Sequence, residues 1–257
     1  MKKSLLKIAS WNVNSIKARL PHVQEWIELK KPNILFLQEL KGESLPDISD
    51  KYQAVFVGQK AYNGVAVLSD DPVTLIQNSL SGDETDQQAR YLEVEYKGLR
   101  LINIYLPNGN PVESEKFPYK LAWMERLYLH IKTLREQKIP FLIGGDFNVI
   151  PEDKDCYDPV LWQNDALFHP KTRHQFRKLM GLGLTDSLRV FNQNDGVYTF
   201  WDYQAGAWPR NNGIRIDHFL LSPELTDRLI DCQIDKTPRA QERASDHVPI
   251  IITLSTV

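Results

Sequence analysis

Cysteine is scarce in this chain of 257 residues. Cys156 and Cys232 lie far apart and show no CxxC spacing. That argues against a disulfide framework or a Cys-rich zinc site, and both are read as free thiols of a reducing compartment. An excess of either charge is also missing: 31 Lys plus Arg face 33 Asp plus Glu, a formal net charge of −2. Gripping nucleic acid through bulk positive charge is excluded, whereas a local basic cleft on a near-neutral body is not. No apolar run approaches the roughly 20 residues needed to span a bilayer. The opening stretch imitates a secretory leader, but Lys7 interrupts it after two leucines and no cleavage pattern follows. The expectation is a cytoplasmic protein that makes no membrane contact. Repeats, low-complexity tracts and linker-like segments are absent too, so residues 1–257 read as a single domain.

What the chain does have is a succession of short apolar runs bounded by Gly, Pro, Asn or Asp. They are Leu5–Trp11, Asn33–Gln38, Ala54–Val57, Gly64–Leu68, Val73–Ile76, Tyr91–Tyr96, Leu101–Leu106, Phe141–Ile143, Ile214–Leu221 and Val248–Leu254. Each has strand length, and several are apolar on both faces, as buried strands are. Helical periodicity appears between some of them. Ile16–Leu29 aligns Ile16, Leu20, Val23 and Ile27, and Glu115–Gln137 aligns Phe117, Leu121, Met124, Leu127 or Tyr128, Ile131 and Leu134. A third helix is predicted over Thr172–Met180 and a fourth starting at Ser222-Pro223. Helices occur less often than strands, so the expected class is α/β, two packed sheets with helices outside.

Polar residues recur where these strands stop. Phe141–Ile143 runs into Gly144-Gly145-Asp146-Phe147-Asn148, and Asn33–Gln38 into Glu39. Leu5–Trp11 runs into Asn12, and Leu101–Ile104 into Tyr105. Ile216 precedes Asp217-His218, and Ser245-Asp246-His247 precedes the last strand. Any one of these alone is ordinary turn chemistry. A fold that packs the strands side by side would gather Asn12, Glu39, Tyr105, Asp146, Asn148, Asp217, Asp246 and His247 into one cleft. Carboxylates and amides without cysteine suit a hard cation, Mg²⁺ or its substitute Mn²⁺. One carboxylate could align a water and the imidazole could donate to a phosphoryl oxygen, which is what phosphodiester hydrolysis requires. No P-loop, GxSxG or HExxH motif competes.

In order and spacing these residues resemble the exonuclease III family of apurinic/apyrimidinic (AP) endonucleases. The resemblance covers essentially the whole chain. It runs through Ala9–Ile16, Leu37–Lys41, Tyr62–Ser69, Asn103–Gly109, Gly145–Asn148, Tyr198–Tyr203, Arg215–His218 and Ser245–His247. It implies a four-layer α/β sandwich, two packed mixed β-sheets flanked by helices. It assigns Glu39 as principal metal carboxylate, with Asn12 and Asp246 near the ion. It gives Asp146 the attacking water, helped by Asn148. It pairs His247 with Asp217 at the scissile phosphate and adds Tyr105 there. Two positions depart from the family pattern: Leu40 where Thr is frequent, and Ser15 where Gly is frequent.

The resemblance further implies a Mg²⁺-dependent DNA repair nuclease. It would cut 5′ to abasic sites in double-stranded DNA, with 3′→5′ exonuclease activity and cleaning of blocked 3′ ends, working as a monomer. Phe200, Trp201, Ile214 and Ile216 resemble an apolar pocket for a flipped abasic sugar, selective because a tight pocket rejects an intact nucleotide. Trp208 with Arg210, in what reads as an exposed loop over Tyr203–Asn212, is a candidate wedge into the base stack. Asn63, Arg90 and Asn108 complete the DNA-binding set. Arg215 ranks with Arg90 and Arg210 as a basic candidate close to a motif. The same catalytic inventory would serve an inositol-phosphate or sphingomyelin phosphoesterase, but the whole-chain match and Phe200-Trp201 favour DNA. A DNA-binding scaffold with a decayed site is disfavoured because every core residue is present.

Overall fold

Inward-facing side chains change character along the central strands, and this change places the site. In the computed structural model, which describes residues 5–256, the order is β1 (Leu5–Asn12), α1 (Ile16–Lys30), β2 (Ile34–Gln38), β3 (Gln53–Val57), β4 (Val65–Ser69), β5 (Thr74–Gln77), β6 (Tyr91–Tyr96) and β7 (Leu99–Tyr105). Then come α2 (Lys116–Glu136), β8 (Phe141–Asp146), α3 (Pro159–Trp162), α4 (Pro170–Met180), β9 (Thr185–Asp186) and α5 (Ser187–Phe191). The chain continues with α6 (Ala207–Arg210), β10 (Asp217–Leu221), α7 (Pro223–Thr226), β11 (Leu229–Ile234) and β12 (Ile250–Ser255).

Two six-stranded mixed sheets form, in the orders β11-β12-β1-β2-β4-β3 and β5-β6-β7-β8-β10-β9. Leu6, Ile8, Ile34, Phe36, Leu101, Leu142, Phe219 and Ile250 meet between them. The opposite faces carry Trp11, Leu35 and Leu37 against Val23, Trp26 and Ile27 of α1. On the second sheet Ile102, Ile104 and Ile143 meet Trp123, Leu127 and Ile131 of α2 and Phe176 of α4. Period-two alternation puts apolar residues on both faces of each central strand, and burying both takes helices outside. The four-layer α/β sandwich expected from the sequence is what forms. Among the described residues no helix is long and apolar enough to cross a membrane.

β1 and β2 run parallel, as do β7 and β8, while β12 and β10 run antiparallel to β1 and β8. The C-terminal ends of four strands and the N-terminal ends of two therefore share an edge. Toward that edge the intersheet layer turns polar. Gln38 Nε2 donates to Ser10 Oγ (3.0 Å) and to Asn103 Oδ1 (2.7 Å). Asn103 Nδ2 donates back across the gap to the carbonyls of Leu37 (3.0 Å) and Ala66 (2.8 Å). These buried amides bind one sheet to the other. At Gly144 a Cβ would stand 2.2 Å from the Phe219 ring, so only glycine lets that ring fill the layer.

The structure corrects several expectations. The strand expected over Ile214–Leu221 starts only at Asp217, because Ile214 makes isolated bridges to Cys156 and Phe200 instead. In α2 the buried position of the second turn is Lys120, and Leu121 is only partly buried. Tyr203–Asn212 is no free loop, since Ala207–Arg210 forms a helical turn. Ser222 opens α7 as expected, but its Oγ accepts from the Phe141 N–H (3.2 Å) and makes no cap bond to the helix.

Candidate active site

The polar strand ends meet around Asn12. Its Nδ2 donates to Glu39 Oε1 (2.9 Å) at the end of β2 and to Asp146 Oδ2 (2.8 Å) at the end of β8. Asn12 Oδ1 accepts from the Asn14 N–H (3.0 Å). Asn12 thus orients both carboxylates across the seam between the sheets. Asn14 Nδ2 in turn donates to Asp246 Oδ1 (3.1 Å). Lys41 Nζ lies 2.9 Å from Glu39 Oε2 and also bonds Asn14 Oδ1. Burial raises the Glu39 pKa, but Lys41 and Asn12 outweigh burial and leave it below the ordinary carboxylate value.

On the far side, β10 supplies Asp217 and the segment before β12 supplies His247. His247 Nδ1 is 2.8 Å from Asp217 Oδ2, and His247 Nε2 is 3.7 Å from Asp146 Oδ2. The ring is buried, and Phe200 packs edge-on against it with centroids 5.0 Å apart. Burial alone would discharge this imidazole; Asp217 and Asp146 overcome burial and raise its pKa, so that the cationic form is held. Burial drives the Asp146 pKa up, His247 opposes this, and the Asp217 and Glu39 charges reinforce it. Burial, then Glu39 and Asp146, push the Tyr105 phenol well above its usual value, so it stays a proton donor.

Asn148 follows Asp146 at φ +47°, and its backbone N–H donates to Asp146 Oδ1 (2.9 Å). Its Nδ2 donates to the Leu106 carbonyl (2.9 Å), and Asn108 Nδ2 donates to its Oδ1 (3.2 Å). Glu39, Tyr105, Asp146, Asn148, Asp246 and His247 line one cavity of about 300 Å³. Phe200, Ile214, Ile216, Leu167 and Trp162 line it too, interspersed with Asn108, Asn110, Asp165 and Asp202. Asn108 also lines a second groove of about 580 Å³ with Asn63, Arg90 and Tyr62. There Arg90 lies 4.6 Å over the Tyr105 ring and donates to the Tyr105 carbonyl (3.2 Å).

Ligand atoms of Glu39, Asp146 and His247 come within 4.8 Å of one another. Two carboxylates there, with an amide already aligned on both, are the donor chemistry of a hard divalent cation. Asp246 lines the same cavity outside that three-way cluster.

Three expectations need correction. Trp201 does not line the cavity: it has 0% exposure, packs with Tyr198 and Val248, and donates to Asn211 Oδ1 (3.1 Å). Trp208 is half-buried, edge-on to Trp201 at 4.8 Å with Arg239 above it, so it is not a free wedge; Arg210 beside it is exposed. Arg215 is 1% exposed and paired with Asp155 (2.5 Å) and Asp186 (2.8 Å), so it is no surface contact for phosphate. The two family departures also resolve. Leu40 is core, packed where a Cβ on Gly64 would stand 2.8 Å from it. Ser15 holds φ +93°, a conformation glycine adopts readily and serine does not. Trp162 and Lys120 escaped the sequence reading.

A model of the endonuclease/exonuclease/phosphatase family matches residues 9–247. An exodeoxyribonuclease III from Haemophilus influenzae is 33% identical, over 95% of this chain and 98% of its own. An AP endonuclease from Archaeoglobus fulgidus superposes with a TM-score of 0.93 at 38% identity, over 98% of this chain and 100% of its own. A 3′ phosphatase from Neisseria, solved with a product DNA hairpin, gives 0.94 at 37% identity, again over 98% and 100%.

Proposed function

The chain belongs to the endonuclease/exonuclease/phosphatase family, and from that premise we propose that it is a Mg²⁺-dependent DNA repair nuclease. It hydrolyses the phosphodiester 5′ to abasic sites in duplex DNA and removes blocking groups and nucleotides from 3′ ends. The observation that carries this reading is the meeting of Glu39, Asp146 and His247 within 4.8 Å, in a cavity that Phe200, Ile214 and Ile216 also line. A cation held by those carboxylates, with the His247 imidazolium, suits a phosphate, and Phe200, Ile214 and Ile216 suit a deoxyribose that has lost its base.

Asp146, made more basic by burial, takes the proton of the attacking water, with Asn148 fixing the water's direction. His247, kept cationic by Asp217, donates to a nonbridging phosphoryl oxygen as charge grows there. Tyr105 stands across from it as a neutral phenol able to donate toward the departing 3′ oxygen. Glu39, with Asp246 nearby, would hold the cation, which when bound supplies Lewis-acid stabilisation of phosphate charge. Arg90, Asn63 and Asn108 would hold the strand in the adjoining groove by backbone contacts that carry no sequence preference. The chain would act as a monomer, in the cytoplasm.

The test is incubation with two labelled duplexes, one bearing a tetrahydrofuran abasic analogue and one a 3′-phosphate, with Mg²⁺ and then with EDTA. Mg²⁺-dependent 3′-hydroxyl products from both are expected. Hydrolysis of a phosphoinositide with neither duplex cut would reverse the substrate assignment.

A further inference from the structure

Lys120 has 0% exposure on the buried stripe of α2, where its neighbours at three and four residues are Phe117, Trp123 and Met124. A cation among such neighbours is costly unless its protons are bound. Among the described residues no carboxylate pairs with it. Its Nζ instead donates to the main-chain oxygens of Asn148 (2.6 Å) and Asn108 (3.0 Å). Those carbonyls belong to the two loops that leave the parallel strands β7 and β8, one on each side of the cavity floor. The first loop closes tightly on the lysine: at Gly109, φ +90°, a Cβ would stand 2.6 Å from Lys120 Cδ. Above the clamp, Asn108 Nδ2 meets Asn148 Oδ1 (3.2 Å), and the Asn148 N–H meets Asp146 Oδ1 (2.9 Å).

The geometry points to Lys120 as a positioning residue for hydrolysis: it clamps the loops after β7 and β8 by their carbonyls, so that Asn108, Asn148 and Asp146 face the phosphate together. The inference rests on the reaction assigned above. Removing the lysine would strip the Asn148 and Asn108 carbonyls of this donor, which weakens the fold as well, so the test has to separate positioning from stability. Burial weakens its hold on the third proton, lowering the pKa to about 7. Both carbonyl bonds survive that loss, since a neutral amine still has two N–H donors.

The test compares Lys120→Met and Lys120→Gln with the unmodified chain on the two duplexes used above. Met keeps the stem and removes every donor. The expected result is a lowered melting temperature with the fold intact at the assay temperature, and KM within threefold. kcat should fall more than tenfold, with partial recovery in Lys120→Gln, and the Asn148 side-chain amide should shift in NMR spectra. A kcat within threefold of the unmodified chain in a folded variant overturns the inference. So does failure of both variants to fold, which would make the lysine a stability element. An unmodified chain inactive on both duplexes would overturn the functional reading itself, a separable outcome.

Discussion

Asp217 Oδ2 lies 2.8 Å from His247 Nδ1, inside a layer where neither side chain meets bulk water. Among the described residues Asp217 Oδ1 has no hydrogen-bond partner. Replacing Asp217 with Asn leaves the ring buried and poorly compensated. Asp217→Asn should lower the His247 pKa and cut kcat by about 100-fold or more. NMR titration of His247 checks the first effect and steady-state turnover the second. An unshifted titration would show that Asp217 does not hold the proton.

Asp146 and Glu39 separate by what their loss does. Asp146→Asn should reduce kcat by about 10²–10⁴ with DNA affinity retained. Glu39→Gln should raise the Mg²⁺ concentration for half-maximal activity by about tenfold or more. Chelation by EDTA should stop turnover in the unmodified chain, and added Mg²⁺ should restore it. Mg²⁺ titrations of turnover, beside filter binding of the abasic duplex, separate the two roles.

Asp155 predicts acid sensitivity away from the cavity. Burial pushes its carboxyl up, but Arg215 and then Arg189 outweigh burial and hold the folded pKa below the ordinary 3.8. The unfolded chain therefore takes up this proton first as pH falls. The stabilisation is fully present above the unfolded value and is lost as pH drops through the folded one. Urea unfolding between pH 7 and pH 3 should show that loss, and Asp155→Asn should flatten it. At pH 7 the same variant should cost about 3 kcal/mol, because Arg215 stays buried with one carboxylate fewer.

Ser15 offers a gain. At φ +93° it occupies backbone space that glycine enters without steric cost. Ser15→Gly should stabilise the chain by about 1 kcal/mol, measured by chemical denaturation. A neutral or negative change would show that the serine conformation is not strained.

The site was legible where chemistry sits at the end of a strand. Asn12, Glu39, Tyr105, Asp146 and Asp217 each terminate or open an apolar run, and strand packing does the rest. Trp201 misled because its place between Phe200 and the cavity-lining Ile214 and Ile216 says nothing about which way its ring turns; alternation sends it into the core beside Val248. Arg215 misled for the same reason, and its partners Asp155 and Asp186 are 60 and 29 residues away. Lys120 left a readable mark, a lysine three residues after Phe117 and four before Met124. Periodicity searches pass over it because they score only apolar matches. β9 and β11 lacked a signal, β9 being two residues long and β11 interrupted by Asp231 and Gln233.

The amides of Gln38 and Asn103, crossing between the two slabs of strands, have a mechanical consequence. Glu39 rides on one slab and Asp146 on the other, so a shear of about one ångström would pull the acids out of alignment with no element lost. Those amides act as dowels against that sliding. Warming should therefore silence the enzyme by loosening this joint while circular dichroism still reports intact helices and strands.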